Sequence, residues 1–246
     1  MGWDVGPPDF VGVGAQRSGT SWWFTLISGH PGVSRAPGSH KEVHFLDQFS
    51  AVGPPDDAAR AYHDHFPRQP DRIAGEWTPR YMHDFWAPRL LESLAPRARV
   101  LVMLRDPIER YRSGLAHEAA KPDAPGAVFL AGDAFARGLY YRQLERILLH
   151  FDRSRLLVLQ FEACLARPAA ELARTYAFLG LEAPHRPPDN LTERVTLSPG
   201  TKMELGDSQR RGLVEAYREE TSLLLDAYPE IDGELWRSMK EDARWG

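Results

Sequence analysis

The chain has 246 residues, 43% of them hydrophobic, and 30 basic against 34 acidic side chains give it a net charge of −4. That balance argues against a general nucleic-acid or anionic-membrane binder. The single cysteine, Cys164, excludes an internal disulfide and a cysteine-based metal cluster. No apolar run approaches the ~18 residues needed to span a bilayer. Met1 to Phe10 is short, acidic and proline-containing, unlike a signal peptide, so a cytoplasmic enzyme without membrane insertion is expected.

In chain order, residues 9–14 predict a short buried strand ending in glycine, followed by a helix over 20–28 that Gly29-His30-Pro31 stops. Residues 33–55 read as irregular apart from a short strand near Val33. A helix is expected over 56–66, a strand over 73–77 and a helix over 83–94. Residues 99–104, Arg-Val-Leu-Val-Met-Leu, form an apolar run suited to a central parallel strand buried on both faces. Pro107 opens the next helix, since its missing N–H is an orphan there anyway. Residues 121–133 read as a loop, 134–151 as a helix, 156–160 as a buried strand and 168–179 as a helix. Residues 181–206 read as a loop, and helices near 207–228 and 230–240 close the chain.

Strands alternating with helices predict an α/β fold of three layers, a central parallel sheet with helices on both faces. No break in composition marks a second domain, so residues 1–246 are expected to form one.

A strand, a glycine-rich turn and a helix aim backbone N–H groups at an anion. Here the turn is Gly14-Ala-Gln-Arg-Ser-Gly-Thr-Ser21. Against the nucleoside-triphosphatase pattern G-x-x-x-x-G-K-[ST], both glycines and the last serine match, but Thr20 stands where the lysine belongs. That argues against a small-molecule kinase using Mg-ATP, while Arg17 supplies a cation three positions earlier.

These segments resemble the PAPS-dependent sulfotransferases, which transfer a sulfuryl group from 3′-phosphoadenosine 5′-phosphosulfate (PAPS) and release PAP. Gln16 to Trp22 resembles their 5′-phosphosulfate loop, and Arg105-Asp-Pro-Ile-Glu-Arg-Tyr-Arg-Ser-Gly114 their 3′-phosphate motif. Lys41-Glu-Val-His-Phe-Leu-Asp47 and Gly75-Glu-Trp-Thr-Pro-Arg-Tyr81 resemble motifs of the heparan sulfate-type branch. Gly138-Leu-Tyr through Leu179 fits the bacterial members.

The resemblance implies a P-loop-type fold and assigns Arg17, Ser18, Gly19, Thr20 and Ser21 to the 5′-phosphosulfate, and Arg105 and Ser113 to the 3′-phosphate. Trp22 or Tyr140 is expected at the adenine, and Lys202, the only lysine in 191–206, over the nucleotide. Glu42 is the general base it implies, with His44 as rival because an imidazole titrates near neutrality. Lys41 pairs with Glu42 or steadies the sulfuryl oxygens. No metal is required. Trp77 stands where that branch often has lysine, and Arg80 is a candidate substitute. The acceptor is expected to be a small molecule or a glycan, of neutral or weak charge. A binding module without catalysis is the reading from another class.

Overall fold

The structure, a computed structural model, describes residues 2–50, 52–122, 124–193 and 203–240. Its first half contains β1 (Asp4–Val5), β2 (Phe10–Gly14), α1 (Thr20–Ser28), α2 (Ala58–His63), β3 (Pro67–Arg68), β4 (Gly75–Trp77), α3 (Ala87–Leu94), β5 (Arg99–Leu104) and α4 (Pro107–Ala119). Then come α5 (Ala127–Ala136), α6 (Tyr140–Leu148), β6 (Leu156–Gln160), α7 (Phe161–Ala166), α8 (Pro168–Phe178) and α9 (Asp207–Ala227).

Four strands form a parallel sheet in the order β4-β2-β5-β6. Alternation along the apolar strands sends side chains to opposite faces. Val100, Val102, Leu104 and Val158 meet α3, α6 and Leu224 of α9; Leu101, Met103, Leu157 and Leu159 meet α1 and α8. Each fully buried side chain of this kind contributes roughly 1.5–3 kcal/mol. The three-layer arrangement is as expected. β1 and β3 pair separately as a short antiparallel ribbon.

The connection from β2 leads to β4 on one side, whereas β5 lies on the other. The sheet therefore has its switch point between β2 and β5, and open α/β sheets bind ligands outside the strand ends there.

Several boundaries differ from expectation. The loop expected over 121–133 gives way to α5 at Ala127, because Leu130 and Ala134, one turn apart, pack on Tyr111 and Leu115 of α4. The helix expected over 134–151 is instead divided between α5 and α6. Its break includes Gly138, where an added Cβ would stand 2.6 Å from the Tyr217 hydroxyl. α3 starts at Ala87 rather than at 83, since residues 78–86 turn to serve the site below. The closing helix over 230–240 is two 3₁₀ turns, Gly233–Leu235 and Arg237–Met239, and α7 follows β6 where no helix was expected. Among the described residues no helix is long and apolar enough to cross a membrane.

Candidate active site

β2 ends in a turn that has no room for side chains at two positions. A Cβ on Gly14 would lie 2.3 Å from the Met82 sulfur, and one on Gly19, at φ 88°, 2.5 Å from the Phe161 ring. Arg17 also has a positive φ, 68°. The turn is fastened to β5 by Ala15 N–H donating to the Met103 carbonyl at 2.9 Å. Inside it, Ser18 is wholly buried and its hydroxyl has no protein partner. A buried polar group is costly unless something bonds it. An orphan hydroxyl beside the unpaired N–H groups of a helix start suits an anionic oxygen.

The end of β5 meets this turn. Arg17 Nε donates to Ser113 Oγ at 3.1 Å, and Arg105 Nη1 donates to the Arg17 carbonyl at 3.0 Å. Two guanidinium groups are thus brought together, and the Arg17 pKa is lowered, first by burial and then by Arg105. Repelling cations held close by the fold make a receptor for a divalent anion. Arg105 is fixed by Glu109 at 3.5 Å and by the Phe161 ring below it, 5.2 Å from the centroid. Asp106 caps α4 by accepting from Ile108 and Glu109 N–H and also accepts from Ser238 N–H, which anchors the C-terminal turns behind the arginine.

On the other side of the turn, Lys41 Nζ donates to Thr20 Oγ1 at 3.1 Å and to Glu42 Oε1 at 2.6 Å. A lysine from outside the loop therefore stands at the residue that replaced the loop lysine. Burial pulls its pKa down, with Glu42 opposing. His44 bridges two carboxylates, Nε2 lying 3.3 Å from Glu42 Oε2 and Nδ1 2.7 Å from Asp47 Oδ2. Glu42 and His44, rivals for one role from sequence, are neighbours in one chain of contacts.

Glu76 builds this arrangement from below. Its buried carboxylate accepts from Val43 N–H at 3.0 Å, Tyr62 at 2.7 Å, Thr78 at 2.5 Å and Tyr81 at 3.2 Å. Tyr81 in turn accepts from Phe45 N–H at 2.8 Å. Burial raises the Glu76 pKa against those hydrogen bonds. No role was expected of Glu76 individually; the available signal was a lone carboxylate in a short apolar strand. His117, one turn beyond Ser113 on α4, was missed as well. Its pKa is lowered, first by burial and then by Arg17.

The remaining expected residues are placed differently. Trp22 is 3% exposed, packs edge-on to Trp23 and Phe161, and donates its indole N–H to the Leu191 carbonyl at 3.0 Å. Tyr140 is 2% exposed and donates to the Arg105 carbonyl at 2.9 Å, behind the cradle. Ser21 lies on the flank of α1 that faces a separate cavity. Trp77 is fully buried, its indole N–H on the Gly14 carbonyl at 3.0 Å, so it serves the strand beneath the loop. Arg80 is taken by Asp84 at 2.9 Å and Asp47 at 3.8 Å. Lys202 lies outside the described residues. Among the described residues no group of three or more histidine, cysteine or acidic side chains is placed to hold a metal ion.

A parallel sheet whose switch point carries a glycine turn with Arg17 in it and Arg105 just past β5 is the arrangement of a P-loop-type fold. The chain belongs to the sulfotransferase family: the model of the sulfotransferase domain matches residues 7–204. It is 28% identical over 248 residues to human heparan sulfate glucosamine 3-O-sulfotransferase 3B1, covering 95% of this chain and 60% of that protein. The chain spans 60% or less of the length of the human and mouse 3-O-sulfotransferases it matches. A sulfotransferase from Alicyclobacillus acidocaldarius superposes with a TM-score of 0.71 at 25% identity, over 95% of this chain and 100% of that one. A mouse sulfotransferase solved with PAP shares the fold, with a TM-score of 0.56 at 15% identity over 95% and 87% of the two chains.

Proposed function

We propose that the chain transfers a sulfuryl group from PAPS to a hydroxyl or amine of a small-molecule or carbohydrate acceptor, as one domain over residues 1–246. The observation that carries this reading is the Arg17–Ser113 contact, which joins the loop after β2 to the helix after β5. Cations then stand at two separate places, Lys41 at Thr20, and Arg17 at Ser113 with Arg105 on the Arg17 carbonyl, as a donor phosphorylated at two positions requires. Family membership supports the same donor.

When bound, PAPS supplies the sulfuryl group, and the S–O bond to its 5′-phosphate breaks as the acceptor oxygen bonds to sulfur. Ser18, Gly19 and Thr20 hold the 5′ end through the orphan hydroxyl and the helix-start N–H groups; Arg105 and Ser113 hold the 3′-phosphate, and Arg17, expected from sequence at the 5′-phosphosulfate, joins them through its contact with Ser113. Lys41 neutralises charge beside Thr20, a form of stabilisation that costs no rearrangement when the cation is already in place. Glu42 takes the acceptor proton. His44 orients Glu42, with Asp47 fixing the imidazole. Nothing in this scheme calls for a metal. The reading includes a cytoplasmic location.

The test is thermal stabilisation by PAP beside ATP with and without Mg²⁺. At about 100 times its dissociation constant, PAP is expected to add about 2.7 kcal/mol without Mg²⁺. Arg105→Ala removes charge-assisted hydrogen bonds and should weaken PAP roughly tenfold to a hundredfold. Stabilisation by Mg-ATP alone would replace this reading with a kinase; none by any nucleotide would leave a binding module of another kind.

A further inference from the structure

A second cavity, about 240 Å³ in volume, lies against the outer flank of α1 and the edge strand β4. The periodicity of α1 creates it. Trp22, Trp23, Leu26 and Ile27 point into the core, whereas Ser21, Thr25 and Ser28 form the opposite stripe and line the cavity. Phe24, Val33 and Phe66 add apolar wall.

Its charged residues are all of one sign. Arg35 and Lys41 line it beside the imidazoles of His40 and His65, and no aspartate or glutamate does; burial lowers the His65 pKa, with Asp64 opposing. Lys41 is paired with Glu42, but among the described residues Arg35, His40 and His65 make no ion pair. Ser34, only 8% exposed, accepts from Gln69 N–H at 2.9 Å through its hydroxyl oxygen, which leaves its own proton to donate. A concave site with apolar wall, a hydroxyl proton free to donate and the Arg35 guanidinium without an ion pair among the described residues selects an anion on a small apolar body.

Lys41 is shared with the reaction centre, since this residue lines the cavity and its Nζ bonds both Thr20 and Glu42. We propose that the cavity is an acceptor subsite for a single-ring molecule carrying an anionic group, seated between α1 and the Arg35–His40–His65 rim with its hydroxyl toward Glu42. This rests on the sulfotransferase reading and narrows it: the acceptor is anionic rather than neutral, and the space is that of one ring rather than of a chain.

Affinities for two matched pairs test it, 4-hydroxybenzoate against 4-hydroxybenzamide and glucuronate against glucose, each measured with and without PAP. The anion of each pair is expected to bind at least tenfold tighter than its neutral partner at low salt. In the R35A/H65A double variant that advantage should fall below threefold. Equal affinities within the pairs, no binding of either anion, or a preference untouched by the double variant would overturn the subsite. Stabilisation of the same proteins by PAP is read separately. A wild type that ignores PAP sinks the donor assignment, whereas normal PAP binding without anion preference sinks the subsite alone. Retained PAP binding in the double variant shows that its fold is intact.

Discussion

Glu42→Gln is expected to lower turnover by about 10²–10⁴-fold, the usual worth of a positioned general base, while PAP stabilises the variant as it does the wild type. Glutamine keeps the shape of the side chain and can still accept from Lys41, now 2.6 Å from Glu42 Oε1, but it cannot take a proton. The loss is measured as PAP release from PAPS with the best acceptor of a phenol and sugar panel. His44→Asn, compared in the same assay, separates the two roles. If Glu42 is the base and His44 its support, the histidine variant retains more activity. The opposite order would make His44 the base, with Glu42 and Asp47 holding its ring. Equal, unaltered turnover in both variants would remove this whole loop from the chemistry.

Glu76→Leu should be the most damaging substitution for the fold around the site. It leaves the Val43 N–H and three hydroxyls without their acceptor. Hydroxyls can turn toward other partners but an amide cannot, so the expected cost is about 3 kcal/mol, or a fall in Tm of about 6–12 °C for a domain of this size. Thermal or urea unfolding measures it. The milder Glu76→Gln reveals the charge component. Because burial raises the Glu76 pKa above its ordinary 4.5, its contribution to stability is fully present below pH 4.5. It is lost as pH rises through the raised value. The stability gap between wild type and Glu76→Gln should therefore be widest in acid and narrow as pH rises. A gap that widens with pH would mean that Glu76 is stabilised as the anion.

The elements that local chemistry determines were legible from sequence. α1, β5, β6 and the start of α4 at Pro107 lie where apolar runs, glycine and proline put them. α5 was not, because Lys121 to Gly126 carries loop composition and its helix depends on contacts with α4 that no local pattern displays. The same division holds at the site. The loop after β2 and the arginine after β5 can be recognised as segments, yet their meeting through Arg17 and Ser113 depends on strand order. Lys41 is the sharper case. Its reach to Thr20 follows from the anchoring of residues 41–45 on Glu76 and Tyr81, a tertiary effect with no sequence period. Trp22 and Tyr140 show the converse, since an aromatic beside a motif does not reveal whether its ring faces a ligand or the core.

The placement of the Lys41 cation has an evolutionary consequence. In a loop that contains its own lysine, holding the nucleotide and assisting the chemistry reside in one short peptide and must change together. Here the helix-start cradle belongs to the segment after β2, while the assisting charge and the carboxylate beside it arrive on a different segment tied to β4. The two meet where Lys41 touches Thr20. On the proposed reading, a lineage of such proteins could recast the residues around Lys41 and Glu42 for new acceptors while the loop after β2 keeps the donor, and a copy that lost Glu42 alone would survive as a nucleotide receptor.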